Sequence, residues 1–432
     1  MSDVVIIGGG VAGINAATEL VDNKFQGKIT IIDMGKDPFN RKPEEVMTGM
    51  LGAGGWSDGK LTYHTGVGGQ LAKYCGEKEA MRLMDKVIAN FTRFHPKPKQ
   101  IMKSDPQEEP EFIKPHFNLK LFPVYHIGTD YLHEIAINWY NFLRENGVEF
   151  LWETEVTDID FNSKEVFTAN RPYGDFDNKY DKLIFGVGKS GIDFSQGLID
   201  KYELKTEPKS VQIGVRFEAP QKYFQDLIEV SYDFKLYQKF EDEGVSLRSF
   251  CTNNNAAYVA AEHTYGDISY NGHAKKDPKY INNLTNFGIL MEIRGIDDPF
   301  GWSRQKVKEM QWNGKGLFYS PSQRPPSTTS EGKEMEVEVI HSIAPFRGAL
   351  GKYAEYVLNF IKDMKKVFPD MEDDWGMYLP EVKYLSPEPL VDYNDLSLVD
   401  FEDVHFVGDA LSARGITVSG AQGIYVAESL IY

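Results

Sequence analysis

Cysteine is almost absent from this chain: Cys75 and Cys251 are the two in 432 residues, far apart and outside any Cys-x-x-Cys spacing. That excludes a disulfide framework and a thiolate metal site, so no metal ligand set is expected. Long apolar runs are missing as well. Nothing approaches the ~18 apolar residues of a membrane span, and the N-terminus enters a strand-like run without the basic region and cleavage site of a leader. The expectation is an unprocessed, soluble, cytoplasmic chain with no membrane partner. Positive charge is also in short supply, with 47 Lys and Arg against 64 Asp and Glu and a formal net charge of −17. General nucleic-acid binders draw their affinity from clustered cations, so that class is not expected, although a local basic patch stays open. Core-forming material, in contrast, is plentiful: 41% of residues are hydrophobic and 13% aromatic, enough for two or three structural units.

The chain opens with DVVII (Asp3 to Ile7), then GGGVAG, then a helix-like stretch from Val11 to Leu20, then KITIID ending at Asp33. Strand, glycine turn, helix and strand make a βαβ unit, whose crossover forces the two strands to be parallel. Residues 43–70 are dense in glycine and without period, which reads as a functional loop region. From Thr129 the spacing predicts a helix capped by Thr129 or Asp130, with Leu132, Ile135, Ala136, Trp139 and Leu143 on one face and Gly147 at its end. VEFLWETEVTDIDF and YDKLIFGVG follow as strands expected to rejoin the first sheet. Alternating runs between 205 and 345 suit a mostly β unit, and residues 321–334 read as a mobile surface loop. A helix near Lys352 to Phe368 precedes the final strand, DVHFVGDA, and a last glycine-led helix.

Gly8-x-Gly10-x-x-Gly13, with Asp33 ending the next strand 20 residues past Gly13, is the strongest signal. Gly8 permits a tight turn, Gly10 a close approach to a pyrophosphate, and Gly13 close helix packing, while the helix N-terminus faces the negative charge. Asp33 is then an acceptor for adenosine ribose hydroxyls. The motif does not separate FAD from NAD. Gly408 and Asp409, ending an apolar strand before the glycine-led helix at Gly415, Ile416 and Thr417, tip the reading to FAD. In FAD enzymes of the glutathione-reductase type such an aspartate holds the ribityl chain, and the helix dipole favours charge on the reduced flavin. Gly186-x-Gly188-x-x-Gly191 is either a second fingerprint, for NAD(P)H with Glu218 as its acid, or a strand returning to the FAD sheet, and the second is favoured. Val11, Ala12, Met34, Arg41, Gly54, Gly55 and Val156 complete the expected cofactor path.

GAGGWSDGKLT (52–62), HIGTDYL (126–132), FGVGKSGIDF (185–194), VQIGVRFEAP (211–220), FCTNNNAAYVAAEH (250–263), ISYNGH (268–273) and the final GDA…GIT together resemble a family of uncharacterised bacterial FAD-dependent dehydrogenases, over nearly the whole chain. The resemblance implies a glutathione-reductase-like FAD domain with an inserted β-rich domain over the flavin, and supplies no substrate. It places Ser57, Asp58, Gly59 and Lys60 facing the flavin and keeps His126. Two departures stand out. The relatives' Cys-x-Cys-Pro-Gly-Gly run is replaced by Cys251 to Ala256, which puts any thiol relay in doubt, and their Arg-Thr-Ser-Ser-Pro-like segment is replaced by Tyr384, Leu385, Ser386, Pro387 and Glu388.

Four residues are candidates for the chemistry. Lys60 can stabilise reduced flavin or be a solvated lysine. His126 and His273 can move protons near neutral pH or sit in the core. Arg216 can hold a carboxylate or make an ion pair with Glu218 or another acid. The expected fold class is α/β: a Rossmann FAD-binding domain (1–204 and 376–432) with an inserted β-rich, α+β substrate domain (205–375). The expected function is an FAD-dependent oxidoreductase acting on a small organic substrate, with NAD(P)H as an open choice of donor and the oligomeric state undetermined. The alternatives are a flavoenzyme modifying a nucleoside or tRNA and a non-catalytic FAD-binding sensor or scaffold.

Overall fold

The computed structural model describes residues 2–42, 45–169, 178–207, 209–264, 266–385 and 387–431. Its first sheet has six strands in the spatial order 397–398, 401–406, 182–185, 4–7, 29–32 and 149–151. All neighbours run parallel except the edge pair Ser397–Leu398 and Phe401–Phe406. The strands Val4–Ile7 and Ile29–Ile32 are short, β-branched and buried at every position, as a parallel sheet covered on both faces requires. Helices Val11–Asp22 and Ile416–Ile431 pack on one another, so the two ends of the chain share one core. This is a Rossmann-like arrangement, and strand Lys182–Phe185 lies in it beside the first strand. The return of Glu149–Leu151 and Lys182–Phe185 to the first sheet is thus observed, whereas Val156–Asp160 pairs with Glu165–Thr168 in a sheet of its own, outside it.

Helix Thr129–Glu145 buries the five residues its periodicity singles out, and Gly147 follows with φ +87°. Its expected cap is different. Gly128 precedes the helix; the Thr129 hydroxyl instead donates to Ser57 O (2.8 Å), and Asp130 accepts from the backbone of Lys276 (2.8 Å). Both side chains tie distant segments together rather than cap their own helix. The 43–70 region is not wholly irregular either: a 3₁₀ turn covers Gly52–Trp56, and Lys60–Thr62 pairs with Val124–His126. Glycine density hides these short elements because neither is long enough to show a period.

The second sheet has nine strands. Its centre runs 376–383, 211–220, 284–293, 245–255 and 235–240. One face, carrying Val211, Ile213, Val215 and Phe217, is packed with Val357, Phe360 and Met364 of helix Lys352–Val367. On the other face Gln212 and Glu292 line a polar cavity, while Arg216 and Glu218 are buried in ion pairs with Glu381 and Arg324. Strand Gly376–Lys383 belongs to this sheet, and so does the short strand Asn118–Lys120. The expected boundaries at 205 and 376 therefore do not coincide with the sheet's own limits, because strand pairing recruits segments from either side. Strands Ala257–Thr264 and Asp267–Ala274 form a separate hairpin. The 321–334 segment, expected to be mobile, is anchored: Arg324 and Ser327 both donate to the buried Glu218 carboxylate, at 2.8 and 2.7 Å. Among the described residues no helix is long and apolar enough to cross a membrane.

Candidate functional site

The first strand delivers the chain into a turn whose glycines have three different reasons. Gly8 has φ +102°, and a Cβ there would strike Gly186 O. A Cβ on Gly13 would enter Gly8 O and the Ile6 side chain. Gly10 has an ordinary φ of −72°, and a Cβ there would meet nothing within 4 Å. Nothing inside the protein demands a glycine at 10; open space in front of a helix N-terminus is what a bound pyrophosphate needs.

That space is a cleft of about 220 Å³ walled by Gly8, Gly10, Val11, Ala12, Asp33 and Met34 on one side. Gly54, Val156, Gly186 and Gly188 continue the wall, and Gly408, Asp409, Gly415 and Ile416 close it from the C-terminal end. Gly186 and Gly188 therefore share the first cleft rather than forming a second dinucleotide site, and Glu218 lies in the other sheet, bound to Arg324. Asp33 accepts from Gly9 N–H (2.8 Å) on one oxygen and from Gly35 and Gly49 N–H (both 2.7 Å) on the other. It braces the loop as well as facing the cleft.

Other expected cofactor residues lie elsewhere. Arg41 is buried and donates to the carbonyls of Glu45, Val46, Met50 and Gly52, so it organises the loop under the cleft. Gly55 packs on Met50 and Leu51, and Gly59 (φ +67°) lies against the Gly128 backbone. Thr417 is buried in the first turn of its helix with Oγ1 unpartnered.

Ser57, Asp58 and Lys60 line a larger cavity, of about 840 Å³, between the glycine-rich loop and the polar face of the second sheet. Met47, Ala53, Lys189, Asp409, Arg414, Gly415 and Ile416 line both cavities, so the two meet where the final helix begins. Asp409 pairs there with Arg414 at 2.8 Å, and Lys189 faces Glu262 at 3.4 Å. Lys189 sits inside the motif GVGKSG and Arg414 five residues past Asp409, so the sequence carries both as cations beside glycine turns, outside the expected site.

The four chemical candidates fare unequally. The Lys60 ammonium is fully enclosed, 2.5 Å from Thr252 O, 2.9 Å from Asp58 and 3.7 Å from Asp233. Burial pushes it down, but Asp233 and Asp58 outweigh burial and hold it above the usual lysine range. It stays charged and pins the loop to the bulged strand. His126, His273 and Arg216 line neither cavity. Burial, followed by Lys276 and Lys60, lowers His126 to about 3, and its ring lies against Tyr232. His273 is also held below the ordinary histidine value by burial, in spite of Glu262. Arg216 is completely buried and pairs with Glu381 (2.8 Å), Asn271 (2.9 Å) and Cys251 O (3.0 Å). Its partner is thus Glu381, not Glu218, and its work is to hold the bulge.

At that bulge Cys251 takes φ +52°, and its thiol lies 3.1 Å from Asp58 Oδ2. Burial pushes both thiols up, Cys251 and Cys75 each to about 11. Both cysteines are free. Of the altered 384–388 segment, Ser386 lies outside the described residues; Tyr384 O accepts from Arg414, and Glu388 pairs with Lys209.

Residues 2–213 match the family model described as pyridine nucleotide-disulphide oxidoreductase. The match takes in Gly8 to Gly13, Asp33 and Gly186 to Gly191. No curated protein matches the chain. Among solved structures, it is similar to a flavoprotein/dehydrogenase from Cytophaga hutchinsonii, with 12% identity, 100% of this chain and 78% of that one covered, and a TM-score of 0.40. It is also similar to a glycine oxidase from Bacillus cereus, with 12% identity, coverage of 99% and 96%, and a TM-score of 0.43. For the halogenase PltM the identity is 16%, the coverage 100% and 68%, and the TM-score 0.39.

Proposed function

We propose that this chain is an FAD-dependent oxidoreductase of glutathione-reductase-like type, with the second sheet covering the reactive end of the cofactor and holding a small organic substrate. The observation that carries the reading is Gly10: a glycine with no internal reason to be one, before a helix N-terminus, in a cleft reached by both ends of the chain. The family match over residues 2–213 supports it. The residues present fit the cofactor. The helix Val11–Asp22 would face the pyrophosphate, the Asp33 carboxylate a ribose, and Asp409 the ribityl chain. Bound there, FAD would supply two-electron redox chemistry.

The chain's own part is orientation and exclusion. The second sheet closes the larger cavity over the junction, and helix Ile416–Ile431 points its N-terminus into it, where negative charge is favoured. Two high-pKa thiols support a reaction without a dithiol relay. The donor is chosen from NADH and NADPH by anaerobic reduction of the purified protein.

The deciding measurement is mass spectrometry of the cofactor released from purified protein, expected to be FAD. FMN, NAD alone or an empty protein overturns the reading. Gly10→Val should fold and lose the cofactor, since a Cβ there meets no protein atom within 4 Å and the added side chain takes up cleft space.

A further inference from the structure

We propose that the larger cavity binds a small organic acid, with the substrate's carboxylate seated on Lys383 beside Arg248. The proposal rests on the reading of that cavity as the substrate side of a flavin site, and names the class of molecule it takes.

The argument is one of charge matching. The carboxylates on the cavity wall are each committed. Glu381 is held by Arg216 at 2.8 Å, Asp409 by Arg414 at 2.8 Å, and Glu262 faces Lys189 at 3.4 Å. Asp58 and Asp233 share Lys60. Glu207 is paired with Lys73 at 2.6 Å, and Glu292 lies 3.6 Å from Arg248 and 3.6 Å from Arg294. Lys383, also on the wall, has no ion-pair or hydrogen-bond partner among the described residues. Its ammonium lies 4.2 Å from the centre of the Phe250 ring. Lys235, four strands away across the sheet, is similar: it lies 4.8 Å over the Phe122 ring, and the nearby Asp233 is beyond ion-pair distance. A chain with a net charge of −17 thus keeps two lysines on the wall of one cavity whose ammonium groups lie over aromatic rings rather than in an ion pair. Enclosed charge without a partner is costly, and a ligand anion is what removes the cost.

Arg248 completes the seat. It stands on strand Val245–Asn255, one residue pair from Phe250, and donates to Gln212 Oε1 at 2.7 Å; Gln212 is the register partner of Lys383. One nitrogen of the guanidinium is therefore fixed on the strand that pairs with that of Lys383, and the other lies 3.6 Å from Glu292. Burial, then Arg248 and Arg414, hold Lys383 below the usual lysine range in spite of Glu381, so an anion bound beside it would favour its charged form. The rings of Phe250, Tyr237 and Tyr270 on the same wall suit an apolar body attached to the carboxylate.

The test is isothermal titration of the purified full-length protein with benzoate, phenylacetate and succinate, each beside its neutral amide, and with inorganic phosphate. At least one acid should bind about tenfold or more tightly than its amide, and weaken as NaCl is raised. Lys383→Met, which keeps the stem over Phe250, should lose about tenfold in affinity for that acid, and Lys383→Arg should lose less than about threefold. Equal binding of acid and amide, phosphate binding without carboxylate binding, no binding of any acid, or unchanged affinity in a folded Lys383→Met overturns the proposal. If that variant does not fold, the acid-to-amide ratio and its salt dependence in the parent decide. Cofactor content is measured on the same preparation: FAD present with no acid bound sinks this inference alone, whereas acid bound with no FAD sinks the flavin reading alone.

Discussion

Asp33 and Asp409 both line the glycine-walled cleft proposed to hold FAD, and they should fail differently. Asp33 accepts three backbone amides at 2.7–2.8 Å, so Asp33→Ala leaves buried N–H groups of Gly9, Gly35 and Gly49 without partners. Each such loss costs about 1–3 kcal/mol, and the urea midpoint should fall together with FAD affinity. Asp409 sits at the mouth with Arg414, outside the core. Asp409→Ala should weaken FAD binding about tenfold or more, one charge-assisted bond being worth roughly 1.5–3 kcal/mol, with the urea midpoint little changed. A paired titration separates the two; equal affinity in Asp409→Ala would remove the C-terminal segment from the cofactor site. His126 gives a pH prediction. Its native value near 3 lies below the ordinary 6.5 because burial penalises the imidazolium. As pH falls through 6.5 the unfolded chain takes up a proton that the native one refuses until about 3, so stability is lost across that window, at about 1.4 kcal/mol per unit. His126→Phe should flatten the fall in urea midpoint between pH 6.5 and 4. An unchanged slope would show that the ring is solvated.

At the scale of the element, the proposed function predicts that the glycine turn separates cofactor binding from folding. Gly13→Val should lower the melting temperature sharply whatever the FAD concentration, because the new side chain enters the Gly8 carbonyl and the Ile6 side chain. Gly10→Val should melt, without cofactor, within about 2 °C of the stripped parent, an expectation from its open surroundings. Calorimetry of the two stripped variants checks the contrast. The same turn explains why this part was readable in advance: strand period, glycine spacing and the acid at position 33 are all local, fixed by chain geometry within one βαβ unit. Helix Thr129–Glu145 was readable for the same reason, its apolar face being periodic. Its first residues were not, since Thr129 and Asp130 answer to Ser57 and Lys276 from other segments.

For the whole molecule, the cleft proposed to hold FAD is walled by the loop at 45–56, the 186–194 turn and the C-terminal segment at once. A ligand bound there stabilises the folded state by mass action, about 2.7 kcal/mol at a hundredfold excess over Kd. Stripping FAD should therefore lower Tm by a few degrees and re-addition should restore it; a Tm indifferent to FAD would mean that the cleft does not hold it. The sequence alone determined what short-range geometry dictates: the βαβ unit, the need for glycine at 8 and 13, and the strand-glycine-helix patterns by which both chain ends reach one cleft. Tertiary structure decided the rest. Arg216 found Glu381 across 165 residues, Lys60 found Asp233, and Lys383 and Arg248 came to one wall from strands with two others between them. Which charges are matched and which are left facing a cavity depends on register and burial in the assembled sheet, and neither is encoded in the spacing of neighbouring residues.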